Sequence, residues 1–234
     1  MRQVKVVFIS SLDGGVGKTT IATVLGVKKG LSLLIDMDWE KADLSQLFRV
    51  PRKAGWLAPF LKGELPYVHR VSPMLYVVPG YEAYEIYQKI GEDVVGDFVE
   101  AMLEWVEHLP RFVTRLRMPV DTVFIDSMAA LRFEVLSRLQ RMGVYNIFMA
   151  DRRLVARISD VKAEQYRRYM AYSSLAVVNL LERGELKMAR KIAPIALKRV
   201  AIGEYYGEAV ANGVLRDRDN RKAVDQILAR IKTA

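Results

Sequence analysis

The sequence predicts an α/β fold: a doubly wound, mainly parallel sheet with helices on both faces. Three observations predict it. Short, continuously apolar runs recur along the chain, as expected for strands covered on both sides. Stretches with helical spacing separate most of them, which implies right-handed crossovers between parallel strands. A glycine loop lies between the first run and the first helical stretch, at the edge of the sheet where such folds bind ligands.

The first run, Val4 to Ser10 (VKVVFIS), stops at the turn signal of that loop. Similar runs follow at Leu31 to Ile35, Leu75 to Val78, Thr122 to Ile125, Tyr145 to Met149, Leu175 to Val178 and about Ile192 to Leu197. Helical spacing is expected over Lys18 to Lys29, over Val94 to Leu109 with Phe98, Met102, Trp105 and Val106 on one face, and over Ala129 to Met142. Phe48 to Pro73, rich in Pro, Gly and Lys, carries no clear period. No repeat or low-complexity segment breaks the chain, so one domain over residues 1–234 is expected. The residues just after the runs are the candidates for a site: the loop from Ser10 to Thr20, Asp36, Asp38, Asp126, Asp151 and Asn179.

Composition narrows the chemistry. There are no cysteines among 234 residues, which removes disulfides, thiolate zinc sites and iron–sulfur ligation. No apolar stretch approaches the roughly 20 residues of a membrane span, and the start reads as a strand rather than a signal peptide, so a cytoplasmic protein is expected. Net charge is +9 and unevenly spread: residues 1–110 hold 12 Lys or Arg against 14 Asp or Glu, residues 111–234 hold 24 against 13. The C-terminal excess suits a polyanion, nucleic acid before anionic lipid. A solvated surface of a heat-adapted protein is the plainer reading of the same charge.

The segment Leu12-Asp13-Gly14-Gly15-Val16-Gly17-Lys18-Thr19-Thr20 has the strand-before, helix-after context of a phosphate loop. Glycines let the backbone curl so that successive N–H groups face phosphate oxygens, and the helix N-terminus adds its positive end. Lys18 can reach the β- and γ-phosphates, the Thr19 hydroxyl can bind Mg²⁺, and Thr20 can contact the α-phosphate. The general pattern G-x-x-x-x-G-K-[ST] fails, because its first glycine falls on Leu12.

GGVGKTT at Gly14 to Thr20 instead resembles K-G-G-x-G-K-[ST]-[ST], the deviant Walker A loop of the ParA/MinD family of P-loop ATPases, here in an archaeal-type form with Asp13 where the family has its signature lysine. The resemblance implies a P-loop NTPase fold of the SIMIBI-like kind, ATP and ADP as ligands with Mg²⁺, and an ATP-dependent sandwich homodimer. Under it, Leu33 to Asp38 matches the second-strand motif, with Asp36 near the Mg²⁺ hydration shell and Asp38 orienting the attacking water. Val123 to Ser127 matches the Walker B strand, with Asp126 binding Mg²⁺ beside Thr19 and Asp36. Asn179 ends the strand whose Asn reads adenine, and Leu75 to Gly80 (LYVVPG) resembles the third-strand segment. In relatives the signature lysine reaches the partner's phosphates, so its replacement implies slow hydrolysis. An unpaired carboxylate 4 Å from a phosphate charge is repelled by about 4 kcal/mol at an effective dielectric of about 20. Arg152 or Arg153, just after the fifth run, is the expected neutraliser of Asp13 or stand-in for the lysine.

The basic half has two clusters. Arg183 to Arg199 holds Arg183, Lys187, Arg190, Lys191, Lys198 and Arg199 against Glu185, and Arg216 to Lys232 adds six cations against three acids. Partition ATPases of the family bind DNA without sequence preference through such residues, so non-specific DNA contact through Lys187, Arg190, Lys191, Lys198 and Arg199 is expected, with nucleoid association and an unidentified partner protein. No DNA-reading helix-turn-helix precedes the loop. A MinD-like membrane protein is the competing reading. Its marker, an amphipathic tail, is matched by Ala223, Val224, Ile227, Leu228 and Ile231, but no aromatic anchor accompanies them, so a helix docked on the core is expected. A third reading, marked by Asp13, is a nucleotide-sensing module without turnover.

Overall fold

The computed structural model describes residues 4–156 and 162–234. Among these residues eight strands form one sheet: β1 (Lys5–Ser11), β2 (Ser32–Met37), β3 (His69–Ser72), β4 (Leu75–Val78), β5 (Thr122–Ser127), β6 (Tyr145–Asp151), β7 (Leu175–Leu181) and β8 (Ile195–Lys198). Their order is β3-β4-β2-β5-β1-β6-β7-β8, and every pairing is parallel except the edge pair β3 with β4. The expected α/β doubly wound class is what the chain adopts. Strand β3 is the addition; it lies in the aperiodic stretch before Pro73, where alternation over four half-exposed edge residues is too short to read.

The helices are α1 (Lys18–Lys29), α2 (Asp43–Leu47), α3 (Ala58–Lys62), α4 (Tyr81–Ile90), α5 (Val95–Arg115), α6 (Phe133–Arg141), α7 (Arg152–Ala156), α8 (Lys162–Ala171), α9 (Leu186–Ile192), α10 (Glu208–Arg216) and α11 (Arg218–Thr233). Several boundaries move from the sequence reading. Helix α5 runs through Pro110 to Arg115, and α6 starts at Phe133 because the chain bends at Ala129 and Ala130, the latter at φ of +55°. Ile192 ends α9, so the last strand starts only at Ile195.

Alternation along the central strands divides the core between the two faces. Phe8, Leu33, Ile35, Val123, Ile125 and Phe148 meet α5, α6 and α8 on one side. Val7, Ile9, Leu34, Phe124 and Ile147 meet α1, α10 and α11 on the other. Both sets are at most 1% exposed, which is why these strands read as continuous apolar runs. The face of α11 bearing Ala223, Val224, Ile227 and Ile231 is buried in the second set, so this helix is docked on the core. Among the described residues no helix is long and apolar enough to cross a membrane.

Parallel pairing puts the strand ends level. Asp36 of β2 stands opposite Asp126 of β5, and Asp151 of β6 opposite Asn179 of β7. These residues lie within the last three positions of their strands rather than after them, because each strand runs on past its apolar run.

Candidate functional site

The loop between β1 and α1 sits at the centre of the carboxyl edge. Gly15 and Gly17 take φ of +74° and +90°, the left-handed region that side chains disfavour. A Cβ on Gly17 would also lie 2.5 Å from Asn179 Nδ2, so glycine is required there twice over. Helix α1 opens directly from Gly17 without a side-chain cap, which leaves its first N–H groups available to an anion. An open cleft beside it is lined by Gly14, Gly15, Gly17, Lys18, Thr19 and Thr20, with Asp38, Glu40, Lys41, Asp43, Ala129 and Tyr205 opposite.

Lys18 is buried, 7% exposed, between the loop and two acids, Asp38 and Asp126. Asp126 is fully buried, and neither carboxylate oxygen has a partner in hydrogen-bond geometry among the described residues, although the Thr19 side chain stands close enough to draw its pKa down. Such an orphaned acceptor pair needs a ligand or a proton. Burial pushes its pKa up to about 7 against the pull of Lys18, and burial lifts Asp38 to about 6, again opposed by Lys18. Asp38 is otherwise fixed by accepting from Glu40 N at 3.1 Å, while Trp39 behind it packs on Trp56 and Phe98 with ring centroids 6.5 and 5.6 Å away.

Asp36 has a structural engagement that its sequence position does not reveal. Its Oδ2 accepts from Ser45 N at 2.7 Å and Ser45 Oγ at 2.6 Å, tying α2 to β2. Ser45 Oγ accepts in turn from Gly80 N at 2.9 Å, and a Cβ on Gly80 would stand 2.5 Å from Asp36 O. Burial, then the neighbouring Asp126, raises the pKa of Asp36 well above its ordinary value. No group of three or more acidic, His or Cys side chains among the described residues forms a metal cage. The donor set that fits Mg²⁺ is therefore the Thr19 hydroxyl with the unpartnered Asp126 carboxylate, completed by phosphate and water.

These acids make stability depend on pH. Folded pKa values of about 6 and about 7 lie above the ordinary 3.8, so the folded chain binds more protons than the unfolded chain in the interval between. Stability of the metal-free, nucleotide-free protein is thus greatest on the acid side of that window and falls as pH rises through it. The melting temperature in EDTA is expected to drop from about pH 5 to about pH 7.5, and Asp126→Asn to flatten the slope. A melting temperature that climbs over the same range would contradict it.

The surroundings of Asp13 correct the sequence expectation. Neither arginine neutralises it by direct pairing: Arg152 Nε pairs with Glu185 Oε1 at 3.4 Å, and Arg153 Nε bonds both oxygens of Asp151 at 2.9 Å. Asp13 instead accepts from the Tyr166 hydroxyl and faces Lys162 Nζ at 3.9 Å, both from α8. Burial and the bond to Asp13 push the Tyr166 phenol far up. Residues four apart on one helix point the same way, so Lys162 and Tyr166 form a legible pair, but nothing local links them to position 13.

Asn179 also has a job inside the protein: its Nδ2 donates to Val16 O at 3.0 Å. Leu180 next to it takes φ of +57°, and the β7–β8 register shifts there, a bulge that re-aims the strand end toward the loop. Tyr205, absent from the sequence reading, puts its hydroxyl 3.3 Å from Thr20 Oγ1 at the cleft. The basic cluster divides. Lys187, Arg190 and Lys191 are exposed on α9. Lys198 is held between Asp217 and Asp219, and Arg199 faces Glu182 at 4.0 Å, so Lys198 is not the free cation expected of it.

No protein-family model matches the sequence, and no curated protein does. Solved structures match over almost the whole chain. A MinC:MinD cell division protein complex from Aquifex aeolicus aligns with a TM-score of 0.63 and 16% identity, covering 99% of this chain and 97% of that one. A putative plasmid partition protein from Borrelia burgdorferi, bound to AMPPNP, gives 0.62 and 16% over 99% of both. The septum site-determining protein MinD of Pyrococcus horikoshii, complexed with Mg-ADP, gives 0.58 and 17% over 94% and 93%. The chain has their fold. At such identities the likeness is one of architecture.

Proposed function

We propose that the chain is an ATP-binding, Mg²⁺-dependent ATPase of the ParA/MinD type, slow in turnover, acting as a nucleotide-switched DNA-partition or positioning protein. The observation that carries the reading is Lys18, a buried cation at the head of an uncapped helix, set against a buried Asp126 whose two oxygens lack a geometric hydrogen-bond partner among the described residues. Amides of Gly14 to Thr20 receive the phosphates, Lys18 the β- and γ-oxygens, and Thr20 the α-phosphate after Tyr205 is displaced. Thr19 and Asp126 hold Mg²⁺, with Asp36 behind them. When bound, the metal neutralises phosphate charge. Asp38, 6% exposed on the cleft, orients the attacking water. Asn179 keeps its carbonyl side for adenine while its amide holds the loop.

With an acid at position 13, no cation from that position reaches a partner's phosphates, which supports slow turnover. An ATP-dependent sandwich homodimer and a separate partner protein belong to the same reading; the Aquifex MinD neighbour was solved as a complex with MinC. DNA contact falls to Lys187, Arg190, Lys191 and Arg199, in the cytoplasm at the nucleoid. The burial of the α11 apolar face favours DNA over a membrane surface, because the tail face that a membrane anchor would need is already packed on the core.

The test is ATP binding and single-turnover hydrolysis, with DNA or anionic vesicles added. Saturable Mg-ATP binding, retention on DNA and release by salt are expected, with the log–log salt slope falling by about one for each phosphate-contacting cation removed from α9. Flotation with vesicles and no DNA retention favours the membrane reading; binding without turnover leaves the sensing module.

A further inference from the structure

An anion cradle works best when its amides point at the phosphates before the ligand arrives, since fixed dipoles need no reorganisation. In a trans peptide the C=O and the following N–H point in opposite directions. A side chain that grips a loop carbonyl from outside therefore aims the next N–H inward. Three carbonyls of this loop accept from side chains: Asp13 O from Ser11 Oγ at 2.8 Å, within the same turn, and two more from residues far along the chain. Asn179 Nδ2 donates to Val16 O at 3.0 Å, ahead of Gly17 N–H. Arg153 Nη2 donates to Gly14 O at 2.9 Å, ahead of Gly15 N–H. Gly15 and Gly17 are the two loop residues at positive φ, the positions most free to turn if released.

Arg153 is itself held. Asp151, with a side chain 10% exposed, takes Arg153 Nε on both oxygens at 2.9 Å and caps Arg153 N at 2.9 Å. Asp151 and Asn179 are register partners on β6 and β7, so the two grips spring from level points of the sheet. Gly14 and Gly15 line the cleft, whereas Arg153 does not.

We propose that Arg153, fixed by Asp151, is a positioning residue that presets the Gly15 amide of the phosphate loop, as Asn179 presets that of Gly17. It acts through the backbone rather than by touching the nucleotide. This rests on the nucleotide-binding reading above and adds a residue distant from the motif, 139 positions from Gly14.

The experiment uses the whole chain. Tripolyphosphate, Mg-ADP and Mg-ATP are titrated calorimetrically into the native protein, Arg153→Met, Arg153→Lys and Asp151→Asn, and the Gly15 and Gly17 amide resonances are recorded without ligand. Arg153→Met is expected to weaken tripolyphosphate by about tenfold to a hundredfold, the scale of one charge-assisted hydrogen bond, and to shift Gly15 more than Gly17. Arg153→Lys keeps the charge but not the two separate donors by which Nε holds Asp151 while Nη2 holds Gly14 O, so it recovers only part of the affinity. Asp151→Asn weakens binding in the same direction by less and guards against a misfolded Arg153→Met. Full recovery in Arg153→Lys overturns the proposal, because charge alone would then suffice. So does native-like tripolyphosphate affinity in a folded Arg153→Met. If the native protein binds no triphosphate, the functional reading fails and this inference with it; native binding with unchanged variants sinks this inference alone.

Discussion

Exchanging Lys18 for methionine lowers Mg-ATP affinity and turnover by at least about a hundredfold while the chain stays folded. The magnitude follows from what a preorganised donor is worth in a water-poor site, about 10²–10³ in rate. Methionine has nearly the length of the lysine stem, so packing around this 7% exposed side chain is kept and the charge alone is lost. The loss has a second consequence. Lys18 is the group that most opposes the upward pressure of burial on Asp38 and Asp126, so without it both carboxylates hold protons to higher pH. The metal donor and the water-orienting acid are then disabled together. Calorimetry with Mg-ADP and single-turnover hydrolysis check this across pH, and a variant within tenfold of native in both would remove the basis for a phosphate site.

Asp13→Lys, which restores the family's loop pattern, does not restore fast turnover and destabilises the protein by about 2–4 kcal/mol. Asp13 is mostly buried, 14% exposed at its side chain, and completes a cluster with Tyr166 and Lys162 of α8 beside the Asp151–Arg153 pair. A lysine in its place leaves the buried Tyr166 hydroxyl without its acceptor and adds a third cation next to Lys162 and Arg153. For a chain of this length that corresponds to a melting temperature lower by about 5–15 °C. Asp13→Asn, which keeps an oxygen acceptor for Tyr166, falls between native and Asp13→Lys. Differential scanning calorimetry with parallel ATP turnover decides it. Faster hydrolysis together with unchanged melting would make Asp13 a brake rather than a structural member of its cluster.

The phosphate loop was legible because its chemistry is contiguous: glycines that curl the backbone, a lysine and two threonines at the head of a helix all fall within Asp13 to Thr20. Strands buried on both faces betray themselves as apolar runs, so seven of the eight could be placed, and the half-exposed edge strand His69–Ser72 could not. The strand-end acids were legible as residues that close those runs. Their division of labour was not, since Asp36 and Asp126 look alike in sequence while Ser45 bonds one and the other has only the Thr19 side chain near it.

By itself, then, the sequence determined the α/β class, the position of the loop and the acids at its edge, because each depends on neighbours along the chain and on the periods of helix and strand. Only the tertiary structure decided that Asp13 belongs to Lys162 and Tyr166, that Arg153 grips Gly14 and Asn179 grips Val16, and that Tyr205 closes on Thr20. Those partners lie more than 130 residues apart. What joins them is the placing of β1 between β5 and β6 with β7 next outward, a strand order set by packing of the whole sheet that no local period encodes.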